Sequence, residues 1–142
     1  MSRPELDNLV RVRQLKAETA TQAEFDGLLR SGAARLRDAS NPALSAESRF
    51  DLAYNAAHAL SLAALRWHGY RSENRYLVFQ CTTHTVVLPT AQWRVLDQAH
   101  RKRNLAEYEG EVEIDEALLA ALLRVANDVE SAVRRLGPVA AS

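Results

Sequence analysis

Apolar residues recur at three- and four-residue steps along most of this chain, the period at which an α-helix brings side chains to one face. Leu6, Leu9 and Val10 make a first short stripe behind Pro4, which suits an opening helical turn because its missing N–H has no partner to lose there. Thr19 to Thr21 interrupts the pattern, and Thr21 can cap a second helix carrying Phe25, Leu28, Leu29 and Leu36. Asn41-Pro42 breaks the chain again, and Ser45 stands where the next helix needs a cap. From Ala46 to about His68 the pattern predicts the most apolar helix of the protein. Phe50, Ala53, Tyr54, Ala57, Leu60, Ala64 and Leu65 form one face, and Leu52, Ala56, Ala59 and Ala63 much of another. Such a helix belongs in the middle of a bundle. One narrow polar strip interrupts it: Asp51, Asn55 and His58, at i, i+4 and i+7. The strip is either the solvent side of the helix or the lining of a polar site.

Gly69 ends this helix, and Ser72 is a candidate cap for the next. Residues 76–88, Tyr-Leu-Val-Phe-Gln-Cys-Thr-Thr-His-Thr-Val-Val-Leu, are rich in β-branched side chains and read as strand or helix. A lone strand among helices has nothing to pair with, so helix is expected. After Pro89-Thr90, Trp93, Leu96 and Ala99 lead into a basic segment, His100 to Gly110. Asp115 can cap a last helix, whose stripe is Ile114, Leu118, Leu122, Val125, Val129, Val133 and Leu136, and Gly137-Pro138 stops it. The expected fold is an all-α bundle of about five to six helices in a single domain, residues 1–142, with its core at roughly 21–136.

Composition narrows the chemistry more than it defines it. Lys+Arg and Asp+Glu both number 18, so any nucleic-acid contact must come from a local patch rather than bulk charge. The single Cys81 excludes an internal disulfide and a cysteine-rich zinc site. None of His58, His68, His84 and His100 stands in a metal-binding pair, and no metal or cofactor is expected. Gly-rich phosphate loops and Gly-x-Ser-x-Gly elbows are absent. His68, just before Gly69, reads as a helix cap, and Trp67 and Trp93 as core rather than base-stacking platforms. The first residues lack the apolar run of a secretory leader, and no stretch is long enough to span a bilayer, so the expected location is cytoplasmic.

The segment His-Arg-Lys-Arg-Asn-Leu-Ala-Glu-Tyr-Glu-Gly holds the candidate chemistry. Arg101, Asn104 and Tyr108 fall at i, i+3 and i+7 and share one helix face. On its own the run is most simply a solvated basic helix end, with Gly110 as the stop.

The chain as a whole resembles the HEPN (higher eukaryote and prokaryote nucleotide-binding) domain, in particular its small stand-alone prokaryotic members. The resemblance rests on Leu15-Lys16, Phe25-x-x-Leu28-Leu29, Leu36-x-Asp38-Ala39, the run from Arg49 to Ala59, Gly69-Tyr70-Arg71, His84, and the run from Arg103 to Tyr108, in that order and spacing. It implies an all-α bundle, a homodimer, and a frequent partner in a minimal nucleotidyltransferase of a toxin–antitoxin type system. Many such proteins are metal-independent ribonucleases whose signature is Arg, four to six residues of which the first is polar, then His. Arg103 and Asn104 match its opening, but Tyr108 stands where the shortest form of the motif has His.

The resemblance thus marks Arg103, Asn104 and Tyr108 as catalytic candidates, with Arg101, Lys102, Asp51, Asn55 and His58 as RNA- or nucleotide-binding candidates. Cutting RNA without metal needs a base for the ribose 2′-OH, an acid for the leaving oxygen and a cation for the phosphorane. Arg103 suits the cation's role. A phenol with a pKa near ~10 is a poor base at neutral pH. Arg103 and Tyr108 also point roughly 140° apart on an ideal helix, so they converge only if the helix ends or a second protomer contributes. The expected function is RNA or nucleotide binding with a degenerate nuclease motif. Two other readings stand beside it: an active ribonuclease toxin with His100 or His58 substituting, and a purely structural or regulatory bundle.

Overall fold

The computed structural model describes residues 4–110 and 113–140, and of Glu107 and Tyr108 the backbone alone. Helix α1 (Pro4–Arg11) is followed by a two-residue strand, β1 (Lys16–Ala17), and then by α2 (Gln22–Ala39) and α3 (Ala46–Trp67). Strand β2 (Tyr70–Arg71) leads to α4 (Arg75–Gln80), α5 (Thr82–Thr85), α6 (Thr90–Glu109) and α7 (Glu116–Arg134). The fold is all-α, and its one sheet element among the described residues is the short antiparallel pair of β1 with β2, Lys16 opposite Arg71 and Ala17 opposite Tyr70.

Helix α3 is the axis. Helices α2 and α7 lie along it, α4 and α5 also pack against it, and α6 packs against α7 and α4. Its Ala53, Ala56, Ala57, Ala63 and Ala64 are fully buried, and small side chains of this kind let neighbouring helices approach. The approach of α2 is close enough to require Gly32: a Cβ there would stand 2.7 Å from Leu60 Cγ. The main core joins α2, α3, α6 and α7 around Phe25, Phe50, Leu60, Leu96, Leu122 and Val129. A second cluster, Leu6, Leu15, Leu65, Tyr70, Leu77 and Val78, lies under α1, so the buried interior begins well before residue 21.

The caps follow hydrogen-bond demand at helix starts. Thr21 Oγ1 accepts from the Glu24 amide at 3.1 Å, Ser45 Oγ from Ser48 at 3.1 Å, and Asp115 Oδ1 from Ala117 at 2.9 Å. Before α4 the cap is Asn74, whose Oδ1 accepts from Leu77 N at 3.1 Å; Ser72 instead shapes the preceding turn by accepting from Asn74 N. The expected helix over residues 76–88 holds to Thr85 but in two pieces. Val87 then turns out at φ +52° and is 70% exposed, releasing the chain ahead of Pro89. Helix α1 also stops earlier than Thr19: Arg13 adopts φ +63°, and the chain turns so that Leu15 is buried and Lys16 pairs with Arg71.

One ion cluster holds these connections together. Arg66, 1% exposed, directs all five guanidinium N–H groups to acceptors. Two go to the Glu24 carboxylate at 2.9 and 3.0 Å, and three to the carbonyls of Glu18, Thr19 and Tyr70 at 2.7 to 3.2 Å. Arg71 closes the cluster on Glu18 and Glu24 at 2.6 and 2.8 Å. The hydrogen bond from Arg66 holds the Glu24 carboxyl below its usual pKa against the opposing effect of burial, with the charges of Arg66 and Arg71 assisting. No helix among the described residues is long and apolar enough to cross a membrane.

Candidate functional site

The site begins with a phenol that cannot reach water. Tyr54, on the inner face of α3, is 1% exposed, and a buried hydroxyl needs a partner. Its partner is His100 of α6, with Nδ1 2.9 Å from the Tyr54 oxygen. One turn further along α6, Asn104 Nδ2 lies 3.2 Å from His100 Nε2. With the amide donating to Nε2, the imidazole proton sits on Nδ1 and is donated to the phenol. Helix α4 walls the ring in: the centroids of Tyr76 and Phe79 are 5.7 and 6.1 Å from that of His100.

Two arginines approach the same phenol ring. The Arg103 guanidinium carbon is 4.9 Å from the Tyr54 centroid and that of Arg75 is 5.6 Å away, both within cation–π range. Arg103 Nε also lies 3.8 Å from Asp51 Oδ1, a loose pair because Asp51 is 58% exposed. Arg75 Nη1 donates to Asn55 Oδ1 at 3.1 Å, and Asn55 Nδ2 donates to its own helix at the Asp51 carbonyl, 2.9 Å away. His58 packs edge-on to Phe79 at 5.9 Å. Burial, with the nearby charges of Arg75 and His100, pushes its pKa down to about 4, so the ring is neutral at pH 7.

The polar strip of α3 therefore splits. Asp51 meets Arg103 of the basic segment, whereas Asn55 and His58 turn to Arg75 on α4. The basic segment splits too. Arg101 pairs with Asp97 at 3.2 Å and, with Lys102, lines a groove against Leu105, Asp115 and Leu118, away from Tyr54. Arg103 and Asn104 are the two that join the phenol–imidazole pair. The Tyr108 side chain lies outside the described residues. Helix α6 continues through Glu109 and ends at Gly110, in the left-handed region at φ +74°, so the helix does not end between Arg103 and Tyr108.

Sequence reasoning missed Tyr54 and Arg75 and left His100 unplaced. The signal for His100 was its spacing, three and four residues before Arg103 and Asn104, which puts the three on adjoining positions of one helix. The signal for Tyr54 was a hydroxyl amid an otherwise apolar face. Arg75 carried none, because it lies at the start of a helix of only six residues. His68 is more than a cap: its Nε2–H donates to the Thr85 carbonyl at 3.0 Å, tying the end of α3 to α5. Trp67 and Trp93 both pack against the main core.

Chemically, the cluster offers a guanidinium, an amide and an imidazole within one turn of a helix. It can hold an oxyanion by charge and by hydrogen bonds. Both nitrogens of His100 are engaged, by Tyr54 and Asn104, so acting as a base would require one of those bonds to break. Cys81 is no nucleophile, since burial raises its thiol pKa to about 11. Among the described residues no three His, Cys, Asp or Glu side chains gather as a metal site would need. A cavity of about 590 Å³ adjoins Arg103 and Asp51, walled by Leu44, Phe50, Leu52 and Ile114.

Fold and site together define an all-α bundle with an arginine–imidazole–amide cluster on α6, packed against Tyr54 of the central helix. Comparison with protein-family models, with curated proteins and with solved structures finds no match to this chain.

Proposed function

We propose that this protein is a HEPN-like RNA- or nucleotide-binding protein with a degenerate nuclease motif. The observation that supports this most is the seating of Arg103 over Tyr54, with Asn104 beside it and tethered to His100. A guanidinium seated on a ring brings a charge and a planar fork that phosphate recognises bidentately, and the amide adds a hydrogen bond, so binding needs no base. The adjoining cavity, apolar on most of its walls, suits a nucleobase whose phosphate rests on Arg103. Cleavage is weak on this reading, because a positioned base or acid typically contributes ~10²–10⁴-fold and the imidazole here is already engaged. We further propose a homodimer, which light scattering tests, and a nucleotidyltransferase partner, which the neighbouring genes test.

A second reading, a metal-independent ribonuclease, draws on one observation: an imidazole does stand next to Asn104. Fluorescence anisotropy with a labelled single-stranded RNA separates the two. Arg103→Ala is expected to weaken binding by about tenfold or more, the loss of a charge-assisted contact. The same RNA is expected to stay intact in EDTA. Rapid cleavage abolished by His100→Ala would establish the second reading, and binding unchanged in Arg103→Ala would refute the first.

A further inference from the structure

Beside the Tyr54 cluster, helices α2, α3 and α4 enclose a cleft of about 260 Å³. Its polar lining is Ser31 and Arg35 from α2, Asn55 and His58 from α3, and Arg75 from α4, and no lining residue is acidic. Two guanidiniums therefore share a concave site without a carboxylate among the lining residues. Each is held by a neutral group rather than neutralised by a charge: Arg35 donates to Ser31 Oγ, and Arg75 to Asn55 Oδ1 at 3.1 Å. Such bonds fix direction and leave the positive charge uncompensated. The imidazole between them is neutral in the physiological range, because burial and the charge of Arg75 oppose its protonation.

Arg75 belongs to both sites. Its guanidinium carbon and that of Arg103 lie 5.6 and 4.9 Å from one ring centroid, so the two cations are within reach of linked phosphates of a single ligand. We infer that this cleft is a second phosphate subsite, coupled through Arg75 to the Arg103 site, and that the ligand carries two phosphates in one molecule. The inference rests on the phosphate-binding reading of Arg103. It adds the substrate class: a nucleoside diphosphate or a 5′-phosphorylated oligonucleotide in preference to a monophosphate.

The test uses three probes, uridine 5′-monophosphate, uridine 5′-diphosphate and 5′-phosphorylated diuridylate, each titrated calorimetrically into the full chain. Arg35→Gln and Arg75→Gln are each expected to weaken at least one two-phosphate probe by about tenfold, and Arg35→Gln, confined to this cleft, to leave the monophosphate within about threefold. Loss confined to the diphosphate identifies a nucleotide ligand, and loss confined to the dinucleotide an RNA. Arg103→Gln is expected to weaken all three. Arg30→Gln, which removes the same charge outside this cleft, is expected to change none. Arg35 is exposed, so its variant is expected to fold, and urea midpoints check both. The inference is overturned if neither cleft variant affects a two-phosphate probe, or if Arg35→Gln weakens the monophosphate equally. If Arg103→Gln still weakens all three, only the second subsite falls. If Arg103→Gln changes nothing, or the unaltered protein binds no probe, the binding reading falls with it.

Discussion

Two arginine clusters hang from the same helix and differ in how firmly their donors are committed. Near the end of α3, Arg66 is buried, and its five N–H groups meet the Glu24 carboxylate and three carbonyls. Near the start, Arg103 leans on the face of Tyr54 and meets Asp51 at 3.8 Å, while Arg75 donates to a neutral amide. A buried, saturated guanidinium has nothing left to offer a ligand, and its role is to join α2, α3 and the β1–β2 pair. A guanidinium steered by a ring, a loose ion pair or an amide can exchange those contacts for a phosphate at little cost. The difference separates an arginine of the fold from an arginine of a site.

The comparison breaks most visibly at Arg66. Arg66→Ala removes the donor from three inward carbonyls and leaves the Glu24 carboxylate to Arg71 alone, and is expected to cost about 3–5 kcal/mol in urea unfolding. Arg66→Lys should recover only part of this, since an ammonium cannot reproduce the fork. A loss under about 1 kcal/mol would mean that the cluster is ornamental.

Acid sharpens the contrast, because the two regions fail at different pH. His58 has a folded pKa of about 4 against 6.5, so its contribution is present above pH 6.5 and is lost as pH falls toward about 4. Discounted for partial solvent access, the loss is about 2 kcal/mol. Glu24 is held below 4.5, so its contribution persists through that window and is lost only as pH falls through its folded pKa. His58→Phe is expected to flatten the stability curve between pH 6.5 and 4 while leaving the lower fall in place. An unchanged upper limb would contradict the buried, neutral assignment.

Smaller effects lie within the site. Tyr54→Phe removes the partner of His100 Nδ1 and is expected to cost about 1 kcal/mol. In the nitrogen-15 spectrum of His100 the unaltered protein should show one fixed tautomer, and the variant an exchanging pair.

The range of the forces involved decides how much of this is legible from the residues. Helices announce themselves through local periodicity and caps, and Thr21, Ser45 and Asp115 act where their positions suggested. The split of residues 76–88 and the early stop of α1 were hidden, since each depends on distant packing around Leu15, Tyr70 and Val78. Arg103 and Asn104 were legible as chemistry because they sit together on one helix. Their partners were not: Tyr54 and His100 are 46 residues apart in the chain, and only the crossing of α3 with α6 joins them. Arg66 looked like one more basic residue at a helix end. Nothing local distinguishes an arginine locked into the fold from one that can exchange its contacts.

Separating stability from binding at one residue puts the distinction to its most direct test. Arg103→Ala removes a loose ion pair and a ring contact, and should shift the unfolding free energy by no more than about 0.5–1 kcal/mol. The same protein preparation, titrated with labelled single-stranded RNA at low salt, should show affinity weakened by about tenfold or more. That pairing, stability kept and binding lost, is what the account predicts. A large loss of stability, or binding that does not change, would place Arg103 with Arg66 among the arginines of the fold and contradict it.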